Sequence, residues 1–167
     1  MTLDELNNLG PTDAQKAFIG CCHCERWATE LSNSRPFDSI ESLFDKAAST
    51  WASATETEKL EAFSGHPQIG DIKALKNKYA ANANREQGQI VEAEDSVLLA
   101  LRDENLRYAE RNGFIFIVCA TGKSADEMLG LLRDRLCNDR QTELGIAARE
   151  QQAITRLRLQ KLIAEEV

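Results

Sequence analysis

A chain of 167 residues, 43% hydrophobic and 28% charged, has the length and apolar content of one globular domain with a hydrophobic core. Its formal net charge of -7 makes general binding to nucleic-acid phosphates unexpected, because such binding needs a basic surface. No apolar run approaches the roughly 18 residues of a membrane-spanning helix, and the N-terminal residues lack the pattern of a signal peptide. The five cysteines are odd in number and are not spaced like a disulfide framework, so we expect a reducing, cytoplasmic setting.

The first half of the chain is predicted to form short helices, because apolar residues recur at helical spacing between breaks at Gly10-Pro11 and Ser34-Arg35-Pro36-Phe37. Side chains that can cap a helix N-terminus stand before several of these stretches. The predicted helices cover residues 3–8, a stretch from Thr12 or Asp13 toward Cys22, residues 24–33, a stretch opened by Asp38 or Ser39, Thr55–Phe63 with Glu58 at capping-box spacing, and residues 72–80.

The second half is predicted to form longer helices, since no proline occurs in the last 100 residues and proline interrupts helix interiors. Phe114–Cys119 is an apolar run with no strand-like partner, so we expect it to be buried and extended or partly helical. The predicted helices run over Glu92–Arg111 with an end at Asn112-Gly113, onward from a cap at Ser124, and from Asn138 or Asp139 to about Ile163. The sequence therefore predicts an all-α fold, a single compact multi-helix domain over residues 1–167.

The first feature that could carry chemistry is the cluster Cys21-Cys22-His23-Cys24. Cys21 and Cys24 have the CxxC spacing of metal and redox sites, and His23 could add a ligand. A zinc site usually needs a second pair of ligands, and a redox CxxC is typical of a β-α-β setting that this sequence lacks. Buried structural cysteines on a helix are the favoured interpretation, with metal binding and redox work as alternatives.

The second feature is His66, which lies in a loop bounded by Gly65 and Gly70. Pro67 follows it directly and restricts its backbone to extended geometry. Histidine is the side chain best suited to proton transfer near neutral pH. The local pattern leaves two interpretations open: a solvated loop histidine, which it favours, and a proton-transfer residue.

The third feature is the pair Glu86 and Gln87, which stand before Gly88 and could donate and accept hydrogen bonds in a pocket. Taken singly, this stretch is typical of a polar helix end, and Arg158 is typical of a charge on a helix surface. No nucleophile elbow, phosphate-binding loop or dinucleotide fingerprint occurs in the sequence. Composition and spacing thus predict a helical domain with a candidate histidine site and name no reaction.

A series of short stretches covers roughly residues 18 to 163 in a fixed order. The stretches are Cys21-Cys22, Arg26-Trp27-Ala28, Arg35-Pro36-Phe37, Ala62-Phe63, His66-Pro67-Gln68-Ile69-Gly70, Glu86-Gln87, Asn105 with Tyr108, Gly113–Val118, Thr121–Ser124, Glu143-Leu144, Glu150-Gln151 and Ile154–Leu159. In their order and spacing they resemble the 2-oxo-4-hydroxy-4-carboxy-5-ureidoimidazoline (OHCU) decarboxylases of urate breakdown.

The resemblance implies an all-helical fold, a homodimer, and a decarboxylation that gives (S)-allantoin. His66 matches the catalytic histidine of that family, and Glu86 and Arg158 join it as implied catalytic residues. Ala83 stands where the family commonly has a serine. The residues implied to bind substrate are Pro67, Ala83, Glu86, Gln87 and the stretch Val118, Cys119, Ala120, Thr121 and Gly122.

No cofactor or metal is expected, because the unsaturated ring carbon and nitrogen beside the reacting carbon of OHCU can take up the electrons released with carbon dioxide. The expected partners are this small substrate and a second copy of the chain, with neither nucleic acid nor membrane. Two other hypotheses stay open: a non-catalytic helical binding domain of the same fold, and a thiol or metal protein that uses Cys21, His23 and Cys24.

Overall fold

The structure, a computed structural model, describes residues 1–67, 75, 77 and 88–164, with the backbone alone over residues 88–94. Within these residues every regular element is an α-helix, which confirms the predicted all-α class. The chain divides into two compact units, Met1–His66 with Ala148–Val167, and Pro67–Ala147. The single domain over residues 1–167 stays a prediction. None of the described helices is both long and apolar enough to cross a membrane.

The helices differ in length between the two parts of the chain, as the proline positions predict. The described helices are α1 (Leu3–Asn8), α2 (Pro11–Cys21), α3 (Glu25–Asn33), α4 (Ile40–Ala52), α5 (Glu56–Ser64), α6 (Gly88–Asn112), α7 (Ala125–Leu136) and α8 (Arg140–Leu162). The first unit contains α1 to α5 and the C-terminal part of α8, while the second contains α6, α7 and the N-terminal part of α8.

Side-chain caps fix four of the predicted helix starts. Each capping oxygen accepts a hydrogen bond from the backbone N–H three residues later, which satisfies a donor that has no partner inside the helix. The pairs are Ser39 with Ser42 at 3.1 Å, Thr55 with Glu58 at 3.2 Å, Ser124 with Glu127 at 3.2 Å, and Asp139 with Thr142 at 2.7 Å. The structure therefore identifies Ser39 rather than Asp38, and Asp139 rather than Asn138, as the capping residues.

Two predicted helix starts are wrong. Helix α2 begins at Pro11 with Gly10 as its N-cap, not at a cap formed by Thr12 or Asp13, because proline fits the first helical position, where its missing N–H is not needed. Helix α6 begins at Gly88 rather than Glu92, so this glycine starts the helix instead of preceding it. The predicted helix over residues 72–80 lies almost entirely outside the described residues.

The core of the first unit is built around two tryptophans. Trp27 has no exposed surface, packs edge-on against Phe18 with ring centroids 6.1 Å apart, and donates to the Ala47 carbonyl at 3.0 Å. Trp51 donates from its indole N–H to the Ala148 carbonyl at 2.8 Å. Because each indole N–H finds a buried acceptor, both rings can be buried whole, and they hold α3, α4 and α8 together.

In the second unit, helix α6 ends as predicted at Asn112-Gly113. Gly113 has φ +77° and donates its N–H to the Ala109 carbonyl at 2.9 Å, the left-handed C-terminal geometry that glycine adopts most readily. The run Phe114–Cys119 that follows has no helical structure, and Phe114, Phe116 and Ile117 are buried. The run is therefore buried as expected and is not helical; Tyr108 of α6 packs edge-on against Phe114 and Phe116, and Arg135 of α7 lies over the Phe116 ring.

Candidate active site

His66 follows the C-terminus of α5, where the chain turns tightly. The N–H of Gly65 bonds to the Ala62 carbonyl and that of His66 to the Phe63 carbonyl, both at 3.2 Å. A side chain at Gly65 would place its Cβ 2.7 Å from Cγ of His23, so only glycine fits against the loop between α2 and α3. Pro67 comes next and is exposed. The close contact at Gly65 therefore determines where the His66 backbone lies.

The imidazole of His66 is half-buried and contacts helix α8. Its Nε2 lies 2.5 Å from the side-chain oxygen of Gln151, and the amide nitrogen of Gln151 donates to Thr155 Oγ1 at 3.1 Å. Gln151 has no exposed surface and Thr155 is 6% exposed. The interpretation of His66 as a solvated loop residue is therefore wrong, because a buried side chain holds its ring.

Arg158 lies on the same face of α8, three residues after Thr155 and seven after Gln151. Its Nη1 lies 3.5 Å from the carbonyl oxygen of Cys21 at the end of α2. Burial lowers the pKa of His66 below its ordinary value; the hydrogen bond to Gln151 opposes this effect, and the positive charge of Arg158 adds to it. His66 is therefore neutral at pH 7 and can accept a proton, while Arg158 supplies positive charge beside it.

The cysteine cluster is buried in the same unit. Cys21, Cys22 and Cys24 are at most 4% exposed. Burial raises the pKa of the Cys21 thiol to about 11 and that of Cys22 to about 12, and it also raises the pKa of Cys24. These thiols are protonated near neutral pH, which supports a structural role, since the thiolate is the reactive and metal-binding form. Among the described residues no group of three or more metal-ligating side chains is found.

A groove of about 250 Å³ lies between α4 and α8 in the first unit. Phe44, Trp51 and Leu159 contribute apolar surface to it, and Arg156 covers the Phe44 ring with its guanidinium carbon 4.5 Å from the centroid. The described residues that line it include two arginines and no histidine or carboxylate. The groove therefore lacks a proton-transfer group of the kind that His66 provides.

The stretch Val118–Gly122 lies in the second unit, where it connects the end of the buried run to α7. Its turn is closed by a hydrogen bond of 3.1 Å from the Lys123 N–H to the Ala120 carbonyl, and Gly122 has φ +76°. Lys123 also donates from Nζ to the Cys119 carbonyl at 2.8 Å. This defined turn leaves Thr121 and Gly122 exposed.

A buried charge network holds the chain just before this turn. Glu143, with no exposed surface, accepts hydrogen bonds from Tyr108 Oη at 2.6 Å, Arg135 Nε at 2.7 Å and Asn138 Nδ2 at 2.8 Å. Arg135 also donates to the carbonyl of Ile117. The carboxylate is thus paired with a cation and fully hydrogen-bonded, the condition under which a charge can be buried.

The predicted site residues fall into three groups. His66 and Arg158 come together in the first unit, and Pro67 and Val118–Gly122 belong to the second unit. Ala83, Glu86 and Gln87 lie outside the described residues. Gln151 and Thr155 are not among the site residues that the sequence predicts. The signal that could have found them is their spacing from Arg158 on one helix face, at positions 151, 155 and 158.

Comparisons with known proteins agree with the resemblance. The family model described as OHCU decarboxylase matches residues 7–160. The uric acid degradation bifunctional protein TTL of Arabidopsis thaliana is 36% identical over 149 residues, covering 87% of this chain and 46% of that protein. The 2-oxo-4-hydroxy-4-carboxy-5-ureidoimidazoline decarboxylase of Haloferax volcanii is 24% identical over 167 residues, covering 99% of this chain and 98% of that protein.

A crystal structure of OHCU decarboxylase in the presence of (S)-allantoin superposes with a TM-score of 0.73 at 36% identity, covering 89% of this chain and 97% of that one. The chain spans about half the length of the Arabidopsis bifunctional protein and 33% of the bifunctional protein of Bacillus sp. strain TB-90, to which it is 26% identical over 167 residues. With most of its length matched by the family model, the chain belongs to the OHCU decarboxylase family.

Proposed function

We propose that this protein decarboxylates OHCU to (S)-allantoin without a cofactor, and that His66 and Arg158 carry the reaction together with Glu86. One observation carries the proposal: the histidine that matches the family's catalytic position is half-buried, bonded to buried Gln151 and beside the charge of Arg158. A neutral histidine of lowered pKa can serve as a base at neutral pH. Membership of the family supports the choice of substrate.

In the proposed reaction, His66 first accepts a hydrogen bond from the hydroxyl on the carbon that bears the carboxylate, and it takes up that proton in the last step. The bond to the carboxylate breaks, and its electron pair forms a double bond to the adjacent ring carbon. The electrons of the ring C=N bond move onto nitrogen, which takes a proton from solvent water. The resulting enol then loses its hydroxyl proton and gains a proton on the ring carbon that carries the ureido group. Delivery of that proton to one face gives the (S) product.

Arg158 has two roles in this proposal. A protein of net charge -7 repels an anionic substrate at long range, so a local positive charge is needed to hold it. A guanidinium can bind a carboxylate through charge-assisted hydrogen bonds. The same charge lowers the pKa of His66 and keeps its imidazole free to accept a proton. Substrate binding and preparation of the base thus depend on one side chain.

The remaining site residues enter the proposal through the resemblance. We propose that Glu86 orients either the imidazole or the ureido group, and that Gln87, Pro67 and Ala83 contact the substrate. Backbone N–H groups in the stretch Val118–Gly122 would hold carbonyl or anionic oxygens, as in other sites that stabilise negative charge with oriented donors. The defined turn at Ala120–Lys123 supports this assignment, because fixed donors need no reorganisation during the reaction.

The test is circular dichroism of fresh OHCU, generated in place from urate by oxidation and hydrolysis, with and without the protein. We expect rapid growth of the (S)-allantoin signal, and a fall in kcat of at least about 100-fold in His66→Asn, because a proton-transfer group typically contributes 10²–10⁴-fold. Far-UV circular dichroism of the variant checks its fold. Slow decay to racemic product with the wild-type protein would reject the decarboxylase and favour a non-catalytic domain of the same fold.

We also propose that the protein is a homodimer. Leu99 and Leu106 stand seven residues apart on α6, which puts them on one helix face, and they are 41% and 42% exposed. Large apolar side chains on one exposed face support a surface covered by a second copy. Sedimentation equilibrium should give a dimer mass for the wild type and a monomer mass for Leu106→Glu; a monomeric wild type would contradict the proposal.

A reducing, cytoplasmic setting is the proposed location. All five cysteines are free thiols, and three of them are buried in one cluster. Free thiols persist in compartments that keep cysteine reduced. Expression of the protein with a fluorescent tag in its native cells, followed by fractionation, would test this assignment.

A further inference from the structure

We propose that Gln151 is a positioning residue that fixes the proton of the neutral His66 ring on Nε2 and leaves Nδ1 as the atom that accepts a proton. The assignment of the ring proton rests on geometry alone. The role of Nδ1 in decarboxylation rests on the function proposed above.

The direction of the Gln151 amide carries the argument. The Nε2 amine of Gln151 donates to Thr155 Oγ1 at 3.1 Å, so the amide oxygen faces the imidazole. That oxygen can only accept a hydrogen bond, and it lies 2.5 Å from Nε2 of His66. The histidine nitrogen must therefore be the donor. A neutral imidazole has one N–H, so its Nδ1 holds a lone pair.

The surroundings of Gln151 oppose the reversed amide. Thr155 has one hydroxyl proton, and its hydrogen bond to the Cys22 sulfur lowers the pKa of that thiol against the larger effect of burial. A hydroxyl that donates to Cys22 receives the Gln151 amine at its oxygen. Because Gln151 has no exposed surface, water cannot replace a lost partner. When the Thr155 hydroxyl donates to Cys22, the hydrogen bonds from His66 through Gln151 to Thr155 all run in one direction.

A glutamine suits this position better than a glutamate would. A carboxylate beside the ring would stabilise the imidazolium and raise the pKa of His66, whereas a neutral amide orients the ring without adding charge. Among the described residues, the other charged or titratable groups near this chain of contacts are Arg158 on α8, His23 against Gly65, and the Cys22 thiol, which contacts Thr155. Of these, Arg158 is the charge that acts directly on the pKa of His66, and it also favours the neutral ring.

Nuclear magnetic resonance of the full chain with ¹⁵N-labelled histidine tests the ring assignment without any substrate. The chain has two histidines, so the His66→Asn spectrum assigns both rings. We expect the neutral His66 ring to be protonated at Nε2 in the wild type and in Gln152→Met, a control at the exposed neighbouring glutamine. In Gln151→Met we expect a mixture of both tautomers. In Gln151→Glu we expect the pKa of His66 to rise by about 1 to 3 units.

Two results would overturn the ring assignment. One is a wild-type His66 ring protonated at Nδ1, which decides the matter even if Gln151→Met does not fold. The other is a folded Gln151→Met protein whose His66 keeps the wild-type tautomer and pKa. A Gln151→Asn variant keeps the amide group but shortens the side chain by one methylene. We expect it to lose the wild-type tautomer preference as well, because its amide oxygen no longer reaches the ring.

Kinetics test the catalytic half of the proposal separately. We expect Gln151→Met to lower kcat by about 10-fold or more with KM changed less than about 2-fold, since an incorrectly oriented or protonated base affects the chemical step. Gln151→Glu should move the midpoint of the acidic limb of the pH profile to higher pH, and Gln152→Met should match the wild type. Full turnover and an unchanged profile in Gln151→Met would overturn the positioning role and leave the decarboxylase intact. No turnover by the wild type would overturn the proposed function and the role of Nδ1, while the spectra would still decide the tautomer.

Discussion

Gly65 lies so close to His23 that a Cβ at position 65 would come within 2.7 Å of the His23 Cγ, a distance that real side chains do not tolerate. The contact joins the end of α5 to the loop between α2 and α3. It fixes the backbone immediately before His66, whose ring reaches Gln151 on α8. A residue without a side chain is thus needed where the candidate base is positioned.

We expect Gly65→Ala to destabilise the protein by about 1–3 kcal/mol, because the new methyl group must displace the side chain of His23 or the α5 terminus. Urea denaturation measures this change. Gly130→Ala is the matched control: nothing lies within 4 Å of a Cβ there, and it lies inside α7, so we expect it to stabilise the protein by about 0.5–1 kcal/mol.

A double variant tests the steric reason for the Gly65 effect. His23→Gly removes the atoms that the new methyl group would meet, so Gly65→Ala should cost less in that background than in the wild type. Equal costs in both backgrounds would show that the contact with His23 is not the cause.

The lowered pKa of His66 predicts the pH at which activity falls on the acidic side of the pH profile. The neutral ring is the active form in the proposed reaction, so kcat/KM should stay high below pH 6.5 and fall with a midpoint under the ordinary histidine value of about 6.5. Initial rates across the acidic and neutral pH range, with corrections for spontaneous decay of OHCU at each pH, measure the midpoint. A midpoint above that ordinary value would contradict the predicted direction.

The same pKa shift predicts a stability change. The unfolded chain binds a proton at His66 at a higher pH than the folded chain does, so the free energy of unfolding decreases as pH falls through about 6.5. His66 contributes this stability fully above its unfolded pKa and loses it progressively toward the lower folded pKa. Urea denaturation from pH 5 to 7.5 should show a smaller decrease in His66→Asn. Because the two proteins differ only at position 66, the difference between their decreases belongs to His66.

Arg158 is predicted to act on both substrate binding and the base. We expect Arg158→Met to raise KM by about 10-fold or more, since a charged hydrogen bond contributes roughly 1.5–3 kcal/mol. Loss of its positive charge should also raise the pKa of His66 and move the midpoint of the acidic limb to higher pH. Arg156→Met, two residues away and in contact with Phe44 instead, is the control and should leave KM and the limb unchanged.

The Glu143 network is predicted to be the most sensitive part of the second unit. Arg135→Met leaves the buried Glu143 carboxylate without its cation, and we expect a loss of about 3–5 kcal/mol in the free energy of unfolding. On the same helix, Arg133 pairs with Glu104 at 3.0 Å but is 58% exposed, so Arg133→Met should cost less than about 1 kcal/mol. Similar losses in the two variants would contradict the difference that burial is expected to make.

The thiols are predicted to react in two classes. Cys137 is exposed and should be the first to react with a thiol reagent at pH 8. Cys21 and Cys22 should stay unreactive in the folded protein, since burial raises their pKa values to about 11 and about 12 and also blocks access. Mass spectrometry of the labelled protein after increasing times gives the order. Early labelling at Cys21 or Cys22 would support the thiol-protein alternative.

Local sequence signals predicted much of the secondary structure. The sequence predicts Thr55 and Ser124 as caps, and it narrows two others to Asp38 or Ser39 and to Asn138 or Asp139, because a capping oxygen needs only a backbone N–H three residues away. The errors at α2 and α6 have the same local character. Each concerned which residue near a glycine or proline is the first of the helix, and helix ends are where assignments by different criteria differ by one or two residues.

The sequence by itself determined the all-α class, most helix boundaries and, through resemblance, the histidine and arginine of the candidate site. Only the tertiary structure decided that His66 is held by Gln151, which stands 85 residues later, and that Glu143 is paired with Arg135 and Tyr108. Helical periodicity shows which face of a helix is buried, but it cannot show which distant side chain that face meets. The pairing of buried polar groups follows from packing, since each must find a partner once water is excluded.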